Sequence, residues 1–207
     1  MFQKLQYHTV EQKTLGVLKS LFLLLELKDA RLVGGTALAL LIGHRSSIDL
    51  DVFGRINLQD LINTNALRKV GSFTLLKSSA SILASTIENV KVDIVNYNYP
   101  WIEEAISIDG LQLAGIKDIG AMKLAAITGR GTRKDFIDLY FLLKHFSIRE
   151  LMDFYVQKYK EGTPYLVLKS LTYFDDAESD DIPKMFKKVD WEQVKSKISN
   201  AVREYLK

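Results

Sequence analysis

Two aspartates separated by one residue, Asp49 and Asp51, lie in a mostly apolar stretch from Ser47 to Phe53. If this stretch is a β-strand, side chains two residues apart share one face, so the two carboxylates lie side by side. The intervening side chains then face a core: Ile48, Leu50 and Val52. Paired carboxylates are the hard oxygen ligands that Mg²⁺ prefers. The spacing therefore predicts a magnesium site; the alternative is a polar strand face exposed to solvent.

A third aspartate, Asp93, lies in a similar stretch from Val90 to Val95. If the two stretches pair in one sheet, Asp93 joins Asp49 and Asp51 as a third carboxylate. Three such groups can hold two Mg²⁺ ions roughly 3.5–4 Å apart, an arrangement that stabilises the attacking and leaving oxygens of phosphoryl transfer. Asp49 and Asp51 would then bind metal and triphosphate. Asp93 would bind the second metal and help to activate an incoming hydroxyl.

A glycine pair, Gly34 and Gly35, stands between a predicted strand and a predicted helix. Glycine pairs commonly mark turns, but backbone N–H groups at the start of a helix also bind phosphate. Three hydroxyls and one cation nearby extend this predicted phosphate site: Thr36, Ser46, Ser47 and Arg45. Arg45 either neutralises phosphate or balances the aspartates in an ion pair, and the sequence does not distinguish these alternatives.

A second group of charged residues centres on Lys123, Asp135 and Asp138. Lys123 lies in the middle of a predicted helix and needs a charged partner if it is buried, either a phosphate or Asp135. Asp135 and Asp138 lie three residues apart on one face of the next helix. The basic turn Arg130–Arg133 suits a nucleotide or an RNA backbone. The alternative is a solvated helix–turn–helix with surface ion pairs.

The strand-like segments precede residue 115 and the helix-like segments dominate after it. Alternating and short apolar patterns predict strands at 30–33, 47–53, 73–76, 82–87, 91–97 and 111–113. Helical periodicity predicts helices at 3–28, 36–42, 58–70, 117–129, 133–146, 148–160, 164–174 and 190–206. This order predicts an α+β fold. A small mixed sheet with flanking helices would occupy residues 1–115, and a C-terminal helical bundle over 116–207 would close over the active site.

The composition excludes several classes of protein. The chain has no cysteine, which excludes disulfides, a thiolate zinc site and a cysteine nucleophile. The net charge of +3 is too mild to indicate nucleic acid by itself. The longest apolar run, Leu21–Leu25, is too short to span a bilayer, and the first ten residues lack the apolar segment of a signal peptide. We therefore expect a cytoplasmic protein with no membrane contact.

Two long segments resemble the signatures of the AbiEii/AbiGii toxin family of nucleotidyltransferases. The first runs from Val33 to Phe53 and contains Gly-Gly-Thr followed by Ser-Ser-Ile-Asp-Leu-Asp. The second runs from Lys123 to Tyr140 and contains Lys-Leu-Ala-Ala followed by Lys-Asp-Phe-Ile-Asp. The segment Leu171–Glu178 and the helix at Trp191 resemble the C-terminal part of the family. The resemblance implies a DNA polymerase β-like core, a C-terminal helical region, Mg²⁺ and a nucleoside triphosphate donor.

The resemblance also implies roles for single residues in the first segment. Gly34 matches the glycine of the superfamily, and Asp49 and Asp51 match its metal-binding acidic motif. Asp93 stands in the place of its third carboxylate. The first motif usually reads Gly-Ser, whereas this chain has Gly-Gly-Thr. Either Thr36 or a backbone amide would therefore hold the phosphate.

In the second segment, the resemblance matches Lys123 to the essential lysine of the family. Either Asp135 or Asp138 matches its later aspartate. Lys123 would serve both as a catalytic residue and as a ligand of the nucleotide.

Members of this family that act as toxins are paired with an antitoxin, and some add nucleotides to the acceptor end of tRNA. The resemblance therefore implies the toxin of a toxin–antitoxin or phage-defence system. Its reaction would be transfer of a nucleoside monophosphate from a triphosphate to RNA, with tRNA as the expected acceptor. The alternatives are a small-molecule or protein hydroxyl as acceptor, and a nucleotide-binding module without catalysis.

Overall fold

A computed structural model describes residues 4–207 of the chain. They form two compact units. The first contains the residues up to Tyr99 together with Glu104–Ala114, and the second contains Pro100–Glu103 together with Gly115–Lys207. The chain thus enters the second unit at Pro100, returns to the first for one hairpin, and enters the second again at Gly115.

A seven-stranded mixed sheet forms the centre of the first unit. Its strands are β1 Arg31–Val33, β2 Leu50–Gly54, β3 Phe73–Ser78, β4 Ile82–Ile87, β5 Val90–Asn96, β6 Ile106–Ile108 and β7 Leu111–Leu113. Their order in the sheet is β3-β4-β5-β2-β1-β7-β6. β3, β4 and β5 form an antiparallel meander, whereas β2 pairs with β5 and β1 with β7 in parallel. The predicted α+β class with a small mixed sheet is confirmed.

Four α-helices belong to the first unit: α1 Gln12–Leu21, α2 Gly34–Ile42, α3 Leu58–Asn63 and α4 Ala66–Val70. Gly43 ends α2 with a left-handed conformation (φ +66°), as expected for a glycine after the last helical turn. The side chain of Asn57 caps α3 by accepting hydrogen bonds from the amides of Gln59 and Asp60.

The predicted helix at 3–28 is confirmed only over Gln12–Leu21, and its residue 3 lies outside the described residues. The structure has 3₁₀ turns at Tyr7–Thr9 and Leu25–Leu27 on either side of α1. Val10 is extended, so the chain before α1 cannot continue the helix. The consecutive apolar residues after Leu21 exceed one helix face, and Leu25 is 82% exposed.

Two further differences concern the first unit. The helix predicted at 58–70 is two helices, because Asn65 between them has a left-handed backbone (φ 52°) that an α-helix cannot contain. Strand β6 was not predicted. It has three residues and is recognisable only through its antiparallel pairing with β7.

Five α-helices form the second unit: α5 Ile116–Gly129, α6 Arg133–Leu142, α7 Ile148–Lys158, α8 Pro164–Leu171 and α9 Trp191–Tyr205. α5 packs against α6, α7 and α8, and α9 packs against the same three helices. The five predicted helices are present, although α6 and α8 end earlier than predicted. Tyr173 lies beyond the end of α8 and is 52% exposed.

Within residues 4–207, no helix combines the length and the apolar character that crossing a membrane requires.

Candidate active site

Asp51 lies in the middle of the sheet, beside the start of α2. It is the register partner of Val33 on the antiparallel strand β1, and α2 begins at the next residue, Gly34. A Cβ atom on Gly34 would come within 2.5 Å of the Oδ2 atom of Asp51, and Gly34 has φ +68°. A side chain at this position would therefore be strained and would also displace the carboxylate. Glycine allows the first turn of α2 to contact the Asp51 carboxylate directly.

The parallel pairing of β2 with β5 brings Asp93 beside Asp51, since the two residues are partners in register. Both are half-buried, while the neighbouring apolar residues of the two strands are buried. The Oδ1 atom of Asp93 is buried and has no hydrogen-bond partner among the described residues. The Oδ2 atom lies 3.2 Å from Nζ of Lys91. The sequence predicted a shared carboxylate site on the condition that the two strands pair in one sheet. Asp51 and Asp93 meet this condition.

Asp49 lies just before β2, which begins at Leu50. The Oγ1 atom of Thr36 donates to the carbonyl oxygen of Asp49 and lies 2.8 Å from Oγ of Ser47, close enough to accept from that hydroxyl. Thr36 is buried and thereby anchors the segment before β2 to α2. Ile48 is 61% exposed, so the expectation that it faces a core is wrong. Strand alternation does not extend to Ile48, because the strand starts two residues later.

Arg45 is buried, and its Nη1 atom donates to the carbonyl oxygen of Ser46 at 2.9 Å. A Cβ atom on Gly35 would overlap with Nη2 of Arg45. The two glycines therefore have separate steric functions. Gly34 leaves space for the carboxylate of Asp51, and Gly35 leaves space for the guanidinium of Arg45.

The carboxylates of Asp51 and Asp93 are suited to bind a hard cation. A buried oxygen without a donor is unfavourable, and a bound cation would satisfy Oδ1 of Asp93. Carboxylate oxygens are also the ligands that Mg²⁺ prefers. Over residues 4–207, no group of three or more His, Cys, Asp or Glu side chains is arranged to hold a metal ion. The membership of Asp49 in a three-carboxylate site stays a prediction.

Lys123, Asp135 and Asp138 form a buried ion cluster in the second unit. Nζ of Lys123 lies 2.9 Å from Oδ1 of Asp135 and 2.6 Å from Oδ2 of Asp138. All three residues are buried. Of the two partners that the sequence allowed for Lys123, phosphate or Asp135, the protein itself supplies Asp135 and adds Asp138.

Asp135 receives further donors at the start of α6. Its Oδ2 atom accepts from the hydroxyl of Thr132 at 2.5 Å and from Nε of Arg130 at 3.2 Å. Burial raises the pKa of Asp135, but the charges of Lys123 and Arg130 and the hydrogen bonds from Thr132 and Lys123 outweigh it and lower the pKa to about 2. Asp135 is therefore negatively charged at neutral pH, which keeps the buried ammonium of Lys123 compensated.

The basic turn Arg130–Arg133 divides into two kinds of arginine. Arg133 donates to the carbonyl oxygens of Ala177 and Glu178, and its own amide donates to Asp180. Its guanidinium also lies 5.0 Å from the ring centroid of Trp191. Arg133 thus holds the loop after α8 against α6, whereas the side chain of Arg130 is 61% exposed.

Comparison with solved structures identifies the class of fold. The nucleotidyltransferase toxin MenT4 of Mycobacterium tuberculosis aligns with a TM-score of 0.61 at 16% identity, covering 91% of this chain and 81% of that one. JHP933 of Helicobacter pylori aligns with a TM-score of 0.57 at 20% identity, covering 94% of this chain and 92% of that one. These similarities show a nucleotidyltransferase fold.

Comparison of sequences identifies the family. The profile described as nucleotidyl transferase AbiEii toxin, type IV toxin–antitoxin system, matches residues 17–206. The Aquifex aeolicus protein aq_aa25 is 34% identical over 186 residues, which cover 86% of this chain and 88% of that protein. The chain belongs to the AbiEii family of nucleotidyltransferase toxins. It is a nucleotidyltransferase, and its family implies a nucleoside triphosphate substrate and an antitoxin partner.

One residue of the candidate site, Lys91, was not predicted from the sequence. Lys91 lies two residues before Asp93 in β5, and its ammonium contacts the Asp93 carboxylate. The spacing of two along a strand was a sufficient signal, because it places both side chains on one face.

Proposed function

We propose that this enzyme transfers a nucleoside monophosphate from a nucleoside triphosphate to a hydroxyl of RNA, with tRNA as the favoured acceptor. In a cell, such a reaction would inactivate tRNA and act as the toxin of a toxin–antitoxin or phage-defence system. The observation that carries the reaction type is the register pair Asp51 and Asp93, set against the glycine that opens α2. The family supports the choice of RNA as acceptor, since some of its toxins modify tRNA.

The chain's own residues have distinct parts in this proposal. The amides at the start of α2 bind phosphate oxygens, favoured by the helix dipole. Arg45, packed beside Gly35, adds positive charge, and Ser46 and Ser47 are the hydroxyl donors of the same loop. Thr36 holds that loop in position through the carbonyl of Asp49.

The acceptor hydroxyl attacks the α-phosphorus, a new O–P bond forms, and the bond to pyrophosphate breaks. Asp93 receives the proton of the hydroxyl. Asp49, Asp51 and Asp93 would hold Mg²⁺, which when bound stabilises the negative charge that develops on the phosphoryl oxygens. The buried cluster of Lys123 with Asp135 and Asp138 is also required for activity, a role supported by the match to the family signature.

The test is transfer of label from each α-³²P nucleoside triphosphate to total tRNA in the presence of Mg²⁺. We expect one or more of the four triphosphates to label tRNA with wild-type protein. Asp51→Asn should lower the rate about 10³-fold, because one neutral amide replaces a charged ligand at the site of developing charge. Asp60→Asn is the matched control, since Asp60 is an exposed carboxylate on α3 of the same unit.

The outcomes separate the alternatives. Label on tRNA that disappears in Asp51→Asn but persists in Asp60→Asn supports the proposal. Label that appears only when tRNA is replaced by a small-molecule or protein fraction would assign a different acceptor to the same chemistry. Equal labelling by wild type and Asp51→Asn would contradict the assigned site.

A further inference from the structure

Lys91 is positioned on the same face of β5 as Asp93. Its Nζ atom lies 3.2 Å from Oδ2 of Asp93, while its side chain is 52% exposed. The ammonium thus contacts the carboxylate at the end of a long, flexible stem that stays about half exposed to solvent.

All three aspartates of the site act on Lys91. The hydrogen bond to Asp93 raises the pKa of Lys91, partial burial opposes the rise, and the charges of Asp93, Asp49 and Asp51 add to it. A positive charge thus already lies where the fields of these carboxylates overlap. This is also the region in which a divalent cation would be most stabilised.

We propose that Lys91 is the resident counter-ion of the carboxylate site: it neutralises Asp93 in the ligand-free protein, leaves Asp93 when a divalent cation binds, and then contacts a phosphate of the nucleotide. The proposal rests on the metal-dependent transfer proposed above. It adds Lys91, as a nucleotide-binding residue, to the residues of the family signatures.

Competition follows from electrostatics. Lys91 contacts Oδ2 of Asp93, and a cation that satisfies Oδ1 would bind the other oxygen of the same carboxylate, so the two positive charges would repel each other strongly. Once the cation binds, Lys91 is repelled from Asp93, and the triphosphate is the nearest anion of high charge.

The test measures binding in the absence of turnover, with Mn²⁺ alone as the first probe and electron paramagnetic resonance as the readout. Lys91→Met keeps the length of the side chain and removes its charge. We expect the Kd for Mn²⁺ to fall about two- to tenfold, since a competing charge is lost. The Kd for α,β-methylene nucleoside triphosphates, measured for all four bases in saturating Mn²⁺, should rise by a similar factor.

Two variants make the test selective. Lys77→Met is the matched control, because Lys77 is an exposed lysine on β3 of the same sheet, and it has no ion pair within residues 4–207. It should leave both dissociation constants unchanged. Lys91→Arg keeps the charge and should restore nucleotide binding towards the wild-type value, which a purely structural role of Lys91 would not predict.

The inference is overturned if Lys91→Met binds Mn²⁺ with unchanged or lower affinity while wild-type protein binds Mn²⁺ and labels tRNA. In that case the transfer reaction stands and only the role of Lys91 fails. A wild-type protein that binds no Mn²⁺ would overturn the metal-dependent reaction and the inference together. Tighter Mn²⁺ binding combined with weaker nucleotide binding in Lys91→Met supports the inference.

Discussion

Two adjacent glycines shape the candidate site by leaving out side chains. At Gly34 the missing Cβ makes room for the carboxylate of Asp51, and at Gly35 it makes room for the guanidinium of Arg45. The sequence suggested these glycines as phosphate-binding backbone. The structure adds that each is also required by a charged side chain from the following segment, which couples the start of α2 to β2.

The substitution Gly34→Ala tests this coupling. The added Cβ would lie 2.5 Å from Oδ2 of Asp51 at a backbone with φ +68°, so the carboxylate must move. A misplacement of about 1 Å at a reacting centre can lower the rate about 10²-fold. We expect such a loss in kcat for nucleotide transfer, measured with labelled triphosphate.

Gly110→Ala is the control for backbone strain. Gly110 also has a positive φ, +78°, but an added Cβ would meet no atom within 4 Å. Gly110→Ala should lower stability by about 1 kcal/mol and leave kcat unchanged. Equal kcat values for the two variants would show that the contact with Asp51 is not needed for the reaction.

At the level of secondary structure, a buried ion cluster joins α5 to α6. Lys123 on α5 contacts both Asp135 and Asp138 on α6, and Thr132 and Arg130 of the intervening turn complete the contacts of Asp135. A buried charge left without its partner is costly, so removal of one member of the cluster would destabilise the packing of the two helices.

The lowered pKa of Asp135 predicts a pH dependence of stability. Its pKa is about 2 in the folded protein and about 4 when unfolded, so the stabilisation is present above pH 4 and is lost as the pH falls towards 2. The lowering of the pKa from 3.8 to about 2 corresponds to about 2–3 kcal/mol. The difference in unfolding free energy between wild type and Asp135→Asn, measured in urea, should shrink over this range.

Asp153→Asn controls for general effects of low pH on carboxylates. Asp153 is exposed on α7 of the same unit. The difference in unfolding free energy between Asp153→Asn and wild type should stay small between pH 7 and pH 2. If the difference in unfolding free energy between Asp135→Asn and wild type is constant over the same pH range, the charge of Asp135 does not stabilise the fold.

At the level of the whole molecule, the segment Pro100–Glu103 belongs with the helical unit although it lies between strands β5 and β6. Asp118 on α5 accepts from the amides of Ile102 and Glu103. Lys158 on α7 contacts Asp118 at 2.7 Å and donates to the carbonyl oxygen of Pro100 at 2.8 Å. Both charged side chains are fully buried, so this pair fixes the segment to the two helices.

Removing one member of this pair should be strongly destabilising. Lys158→Met leaves the Asp118 carboxylate buried without its cation, which costs about 3–5 kcal/mol in unfolding free energy. The exposed Lys160, two residues later, provides the control variant Lys160→Met. The double variant Lys158→Met with Asp118→Asn should recover part of the loss. A cost below about 1 kcal/mol for Lys158→Met would place this pair with ordinary surface ion pairs.

Much of the local structure follows from the sequence. Strands β4 and β7 have their predicted bounds, and α5 lies within one residue of its predicted bounds. These features depend on residues that are close together in the chain. The predicted N-terminal helix was too long because a run of leucines satisfies helical periodicity locally even where no surface buries them.

The sequence by itself determined the fold class and the family, and it supplied the residue types of the candidate site. Only the tertiary structure decided that β5 pairs with β2. This pairing places Asp93 beside Asp51, and Lys91 contacts the Asp93 carboxylate. It also decided that Lys123 has two protein carboxylates as partners. These contacts join residues far apart in the chain, and their register is set by how apolar strand and helix faces are buried together. Spacing along the chain cannot specify that packing.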